Sequence, residues 1–212
     1  MIIIGIDEAG RGPLAGPVTV GAFSAEEKVG RWIVKNIFDN NLRDSKKLSE
    51  KKREEIYKKL IDLKNESRVD FAFSHISSKV IDQYGINKAV NRGIVRCLMK
   101  ISTSYTLSRG RGILYKPENL SIRLDGLLKA PAEYKNQKTI IRGDEKDVFI
   151  ACASIVAKVL RDRFMCKIAK MFPVYKFDIH KGYGTSLHRQ IVQKSGLSLV
   201  HRKSYCKNMV KS

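Results

Sequence analysis

Two adjacent acids, Asp7 and Glu8, follow directly on the apolar run Ile2 to Ile6, in a chain that is short of acids. A continuous β-branched run predicts a buried strand. Neighbouring side chains on a strand point to opposite faces, but at a strand end that restriction relaxes and both acids can approach one ion. Asp125 repeats the pattern, ending the alternating run Leu120, Ile122, Leu124 and preceding Gly126. Asp144 repeats it again, after Gly143 and a short strand predicted over Thr139 to Arg142. Each Asp-Gly or Gly-Asp step is by itself an ordinary turn signal. Together they place several carboxylates at strand ends beside glycine. Clustered carboxylates repel one another unless cations sit between them. Oxygen-rich ligand sets suit Mg²⁺ or Mn²⁺. Two such ions about 3.5–4 Å apart hold the attacking and leaving oxygens of a phosphodiester.

The surroundings of these acids are basic. The 212 residues carry 41 Lys and Arg against 21 Asp and Glu, a formal charge of +20. Such a surplus costs self-repulsion and attracts polyanions. Nucleic acid is the leading partner, ahead of an anionic membrane surface or an acidic protein. With 43% hydrophobic residues, the chain has enough apolar material for a core, which excludes whole-chain disorder. Cys97, Cys152, Cys166 and Cys206 form no C-x-x-C pair and read as free thiols of a reducing compartment. The spacing of His201 and Cys206 matches no closed zinc motif. No apolar run approaches the roughly 20 residues of a membrane span, and the start lacks a secretory pattern. The reading is a soluble cytoplasmic protein.

The elements that must position the acids follow from periodicity. Gly10 to Gly16 is a turn with three glycines and a proline, and Pro17 to Ala25 reads as a second strand, antiparallel to the first. Glu26 to Phe38 is weakly helical. Ser49 caps a helix with the stripe Ile56, Leu60, Leu63. Val69, Phe71 and Phe73 alternate as in a half-buried strand. Ile86, Val90, Ile94, Cys97 and Ile101 recur at helical spacing, and Thr103 to Glu118 reads as an exposed basic loop. Val148 to Met165 should be a buried helix whose Ser154 is packing, and Ser186 to Ser195 a short helix ending at Gly196. The tail from His201 reads as a helix or a basic arm. This order predicts a mixed sheet flanked by helices.

Five blocks resemble, in order, the signatures of the ribonuclease HII family: GIDEAGRGPLAGPV (Gly5 to Val18), DSKKLS (Asp44 to Ser49), LDG (Leu124 to Gly126), GDEKDVFIACASIVAKVLRDR (Gly143 to Arg163) and HKGYGT (His180 to Thr185). Arg11 favours type II over the sister type III enzymes, which commonly carry Lys. The resemblance implies an α/β, RNase H-like fold, a mixed five-stranded sheet flanked by helices. It implies a catalytic domain over residues 1–172 and a small C-terminal helical extension over 173–212 that completes the substrate cleft. It also implies a metal-binding carboxylate set of Asp7, Glu8, Asp125 and Asp144, using Mn²⁺ or Mg²⁺. The implied reaction is hydrolysis of the RNA strand of RNA–DNA hybrids and incision 5′ to single ribonucleotides in duplex DNA, leaving 3′-hydroxyl and 5′-phosphate ends. Gly10, Arg11 and Gly12 resemble the family's reader of the ribose, whose 2′-hydroxyl distinguishes RNA from DNA. Tyr183 resembles its junction tyrosine, and Ser45, Lys46 and Lys47 its phosphate contacts. His180 and Lys181 are weaker candidates for the cleft wall. A monomer is expected; clamp or repair partners are not readable. The competing readings are another RNase H-like nuclease of resolvase type, which needs neither GRG nor HKGYGT, and a non-catalytic nucleic-acid-binding module.

Overall fold

The β-branched start of the chain forms β1 (Ile2–Ala9), and after the glycine turn β2 (Val18–Glu26) returns antiparallel to it, with Ile2 opposite Glu26 and Ala9 opposite Thr19. In this computed structural model residues 1–42, 48–108, 117–207 and 209 are described. β3 (Val69–Ile76) pairs antiparallel with β2. β4 (Leu120–Asp125) pairs parallel with β1, and β5 (Gln137–Ile140) parallel with β4. The sheet order β3-β2-β1-β4-β5 puts β1, the strand bearing Asp7 and Glu8, in the centre. The helices are α1 (Glu27–Asn36), α2 (Glu50–Asn65), α3 (Ser78–Tyr84), α4 (Ile86–Ser108), α5 (Val148–Met171), α6 (Phe177–His180) and α7 (Ser186–Ser195). The expected mixed five-stranded sheet with flanking helices is the observed fold.

Alternation along the strands divides the core between the two sheet faces. Ile4, Ile6, Val20 and Ile122 pack on Val90, Ile94, Cys97 and Ile101 of α4. Ile3 and Phe23 pack on the other face, against α5, α1 and α2 through Phe149, Val156, Ile33, Ile56 and Leu60. A third cluster joins Ala15 of the glycine turn to Met165, Ile168, Tyr175 and Phe177.

Helix α5 reaches the sheet closely because two strand positions lack side chains. A Cβ on Gly5 would lie 2.1 Å from the Phe149 carbonyl carbon, and one on Gly21 2.4 Å from the Ala153 oxygen. Asp147 starts this helix: its carboxylate accepts from the Phe149 and Ile150 amides and pairs with Arg123 at 2.7 Å. Such a cap is worth about 1 kcal/mol.

Several expectations are corrected. α4 continues into the stretch read as a basic loop, to Ser108, and residues 109–116 lie outside the described part. Helical spacing there was masked by polar residues. β5 lies two residues earlier than expected, and α5 runs on past Met165 to Met171. In β3 the more deeply buried phase is Asp70, Ala72, Ser74 and Ile76, facing α4, whereas Phe71 and Phe73 are only partly covered. The tail does not begin as a basic arm: His201 and Arg202 are buried, and His201 bridges to Ala15.

Candidate active site

The β1 ladder extends through Ala9, so Asp7 and Glu8 lie within the strand, opposite Gly21 and Val20, rather than past its end. Asp125 is the last residue of β4. Asp144 sits on a short 3₁₀ turn, Gly143–Glu145, beyond β5, entered through Arg142 in a left-handed conformation. The Gly143 amide donates to Asp125 Oδ1 at 2.6 Å, which ties this turn to the end of β4. The outcome is a cavity of about 340 Å³ lined by all four acids, Asp7, Glu8, Asp125 and Asp144, together with Gly10, Ser154, Lys158, Arg53 and Tyr183.

Electrostatics in this cavity are set by burial. The Asp7 carboxyl is held well above the usual carboxylate range, first by desolvation and then by the charges of Glu8 and Asp125; hydrogen bonds from Ser154 and the Glu8 amide act against this. Glu8 is also raised, again chiefly by burial, although the Arg11 guanidinium pulls it down. Arg11 holds Glu8 Oε1 at 3.3 Å and Asn87 at 2.6 Å. Glu8 Oε2 is buried without a hydrogen-bond partner. An orphaned carboxylate oxygen among mutually repelling acids is a site that a hard divalent cation fits. Among the described residues no three acids, imidazoles or thiols already converge at ligand spacing. The reason is visible in the contacts: Glu8 is turned to Arg11 and Asp125 to the Gly143 amide.

The glycine loop and Tyr183 flank this cavity. Gly10 adopts φ +90°, and a Cβ there would sit 2.0 Å from Arg161 Nε. At Gly12 a Cβ would meet nothing within 4 Å, so that glycine leaves open space for an approaching ligand. The loop is held from behind by two buried arginines. Arg202 donates to the carbonyls of Gly10 (2.6 Å), Arg11 (2.7 Å) and Gly16 (3.0 Å). Arg161 donates to Pro17 (3.0 Å) and, across to the other loop, to Lys181 (3.0 Å). Burial and its neighbour Arg161 push Arg202 down to about 10, which still leaves it charged at neutral pH. The Tyr183 ring is half-exposed and lies 5.5 Å from the Arg161 guanidinium and 6.0 Å from Lys158 Nζ.

Some candidates fall elsewhere. Ser45, Lys46 and Lys47 lie outside the described residues. His180 does not line the cleft; it is buried, with its ring nitrogens on the Tyr175 carbonyl and the Gly182 amide. Lys181 turns to Asp178 and Cys166 instead. Ser154, read as packing, is in the cavity on Asp7. Lys158, one helical turn further along α5, was not singled out at all. The i, i+4 spacing of a Ser and a Lys on an otherwise apolar helix is the signal that could have found both.

The profile of the family described as Ribonuclease HII matches residues 4–208. The chain belongs to the ribonuclease HII family. The Ribonuclease HII of Caldicellulosiruptor bescii is 40% identical over 210 residues, covering 98% of this chain and 88% of the relative. Among solved structures, the ribonuclease H2 of Pyrococcus horikoshii superposes with a TM-score of 0.67 at 23% identity, covering 99% of this chain and 97% of that one. Bst-RNase HIII, solved in complex with Mn²⁺, gives 0.64 at 17% identity over 92% of this chain and 63% of its own. At those identities the two structures establish the fold. Family membership makes this ribonuclease HII relative a ribonuclease H, a hydrolase acting endonucleolytically on phosphodiester bonds.

Proposed function

We propose that the enzyme cuts the RNA strand of RNA–DNA hybrids and incises duplex DNA 5′ to a single embedded ribonucleotide, leaving a 3′-hydroxyl and a 5′-phosphate. The observation that carries this reading is the cavity that Asp7, Glu8, Asp125 and Asp144 line together with Gly10 of the glycine loop and Tyr183. These four carboxylates are the proposed holders of the divalent cations, Mn²⁺ or Mg²⁺, two during the reaction. Such cations would lower the pKa of the attacking water and neutralise charge on the leaving oxygen.

The remaining work falls to the protein's own groups. Ser154 orients the Asp7 carboxylate by its hydrogen bond. Arg53 and Lys158 line the same cavity and supply positive charge toward the phosphates flanking the cut. The backbone of Gly10 to Gly12, without a side chain on either flank of Arg11, approaches the ribose 2′-hydroxyl. Arg11, which in the metal-free protein holds Glu8 and Asn87, would be free to contact a phosphate if Glu8 were to hold a cation. Tyr183 packs on the deoxyribose next to the ribonucleotide, where an added hydroxyl would collide. The segment 173–212 completes the cleft by carrying Tyr183 and Arg202, and Ser45, Lys46 and Lys47 extend its phosphate contacts. No helix among the described residues is long and apolar enough to cross a membrane, and the proposed setting is the cytoplasm.

The test is a DNA duplex with one ribonucleotide, offered with Mn²⁺ or Mg²⁺ and with chelator. The expected product is a single nick 5′ to the ribonucleotide, abolished by chelation. Cutting confined to branched DNA would point to a resolvase, and salt-sensitive binding without any cutting to a binding module.

A further inference from the structure

Behind the Tyr183 turn lies a concentration of polar side chains that the catalytic reading does not use. Three of the chain's four histidines, His180, His188 and His201, are buried there. The His180 and His188 rings stack at 4.1 Å and 16°. Phe177 presents itself at right angles to both, at 5.8 and 5.6 Å, and Tyr175 packs 5.1 Å from His201.

Their hydrogen bonds determine every ring proton. A backbone carbonyl only accepts, so His188 Nδ1, 2.9 Å from the Tyr183 oxygen, carries the hydrogen. A neutral imidazole then has a bare Nε2. That atom lies 3.0 Å from His201 Nε2, which must be the donor. His201 Nδ1 is thereby bare, and it accepts from the Ser198 amide at 2.9 Å and the Ser198 hydroxyl at 2.7 Å. Because an amide only donates, the far end of the chain independently requires the same assignment. A second line is equally determined. His180 Nε2 donates to the Tyr175 carbonyl at 2.8 Å, and its bare Nδ1 accepts from the Gly182 amide at 3.2 Å. The two lines end on consecutive residues, the amide of Gly182 and the carbonyl of Tyr183.

We propose that His180, His188 and His201 are positioning residues, a neutral relay with one tautomer at each ring that fixes the peptide of Tyr183 and so aims its ring at the cavity. The proposal rests on the reading of Tyr183 as a contact to the junction sugar. Pinned on both sides, the turn resists rotation, and a misplacement of about 1 Å near reacting groups can cost on the order of a hundredfold in rate.

Protonation is incompatible with the relay. A proton on His188 Nε2 would set two donors face to face, and one on His201 Nδ1 or His180 Nδ1 would confront an amide hydrogen. Burial holds all three rings below their ordinary value, His201 at about 4 with the adjoining His188 contributing. The charged groups that bear on the cluster are Asp178, which raises His180, and Arg189, which lowers His188; His201 faces the other two histidines. With folded values depressed, the contribution is complete above about 6.5 and is lost as pH falls toward about 4.

Two measurements test this. In the intact protein at pH 7.5, long-range ¹⁵N–¹H correlations of labelled histidines should show His188 protonated on Nδ1 and His180 and His201 on Nε2. A different tautomer at His188, or a charged ring at any of the three, overturns the relay whatever the enzyme cuts. The second compares kcat/KM on a duplex with one ribonucleotide against an RNA–DNA hybrid. His188→Leu should lower that ratio about tenfold, and Tyr183→Ala should do the same. His188→Asn, whose amide can donate from the Nδ1 position, should restore it to within about threefold. Equal losses on both substrates in His188→Leu, with Tyr183→Ala still selective, would reduce the relay to a packing role. An unchanged ratio in Tyr183→Ala overturns the reading of the tyrosine and the functional half of the proposal with it, leaving the tautomers as the test of the relay itself.

Discussion

At the residue scale, Asp7 carries opposing demands. It is buried in a central strand beside two further carboxylates, so its ionised form is disfavoured in the metal-free protein. Its folded value is raised above 3.8, so the metal-free protein binds more protons folded than unfolded in the window above that value. The stability this group contributes is therefore present below the unfolded value and is lost as pH rises through the folded one. Asp7→Asn removes that penalty. It should lower cleavage at least about a hundredfold while duplex binding survives. It should also raise the melting temperature of the metal-free protein at neutral pH, by about 2–4 °C for each kcal/mol relieved. Calorimetry with and without Mn²⁺ checks the second half: the wild type should gain more from the ion than the variant does. Cleavage near the wild-type rate would remove Asp7 from the site.

At the element scale, the close docking of α5 on β1 and β2 is what brings Ser154 to Asp7. That docking depends on the bare backbone at Gly5, two residues before Asp7 on the same strand. Gly5→Val would force branched atoms into the backbone of Phe149 rather than into a flexible side chain. Overpacking of this kind costs about 3 kcal/mol, or roughly 6–12 °C in melting temperature for a chain of this size. Activity should fall along with stability, because the helix carrying Ser154 and Lys158 moves off the strand. A thermal shift under about 2 °C would mean the helix is not seated on that glycine. The glycine loop obeys the same logic through charge: Arg161 and Arg202, both buried, bond to its carbonyls instead of to carboxylates. Their positive charge therefore stays available near the place where a phosphate chain would lie.

At the scale of the whole molecule, a charge of +20 surrounds a centre made of acids. Binding to a duplex should release counterions, so log affinity should fall linearly with log salt, with a slope of about −0.9 for each phosphate neutralised. A slope steeper than about −4 is expected from a titration between 50 and 200 mM salt. The slope should be nearly the same for plain DNA and for a duplex with one ribonucleotide, because the proposed reader of the ribose is uncharged backbone. A slope near zero would detach the basic surface from substrate binding.

The strand of Asp7, the helices of α2, α4 and α7 and the ordered family blocks were legible in the sequence, because periodicity and motif spacing are local properties of the chain. The four carboxylates could be nominated individually for the same reason. That they line one cavity was decided by the sheet order, which sets β4 beside β1 across more than a hundred residues of chain. Arg202 and His201 looked like the start of a basic tail, and Ser154 like packing. Charge and size alone do not say which carbonyl or carboxylate a side chain will meet. Only the return of the C-terminal segment onto the glycine turn, sealed by apolar contacts among Ala15, Met165 and Phe177, turned that guanidinium into a clamp and that imidazole into part of a relay.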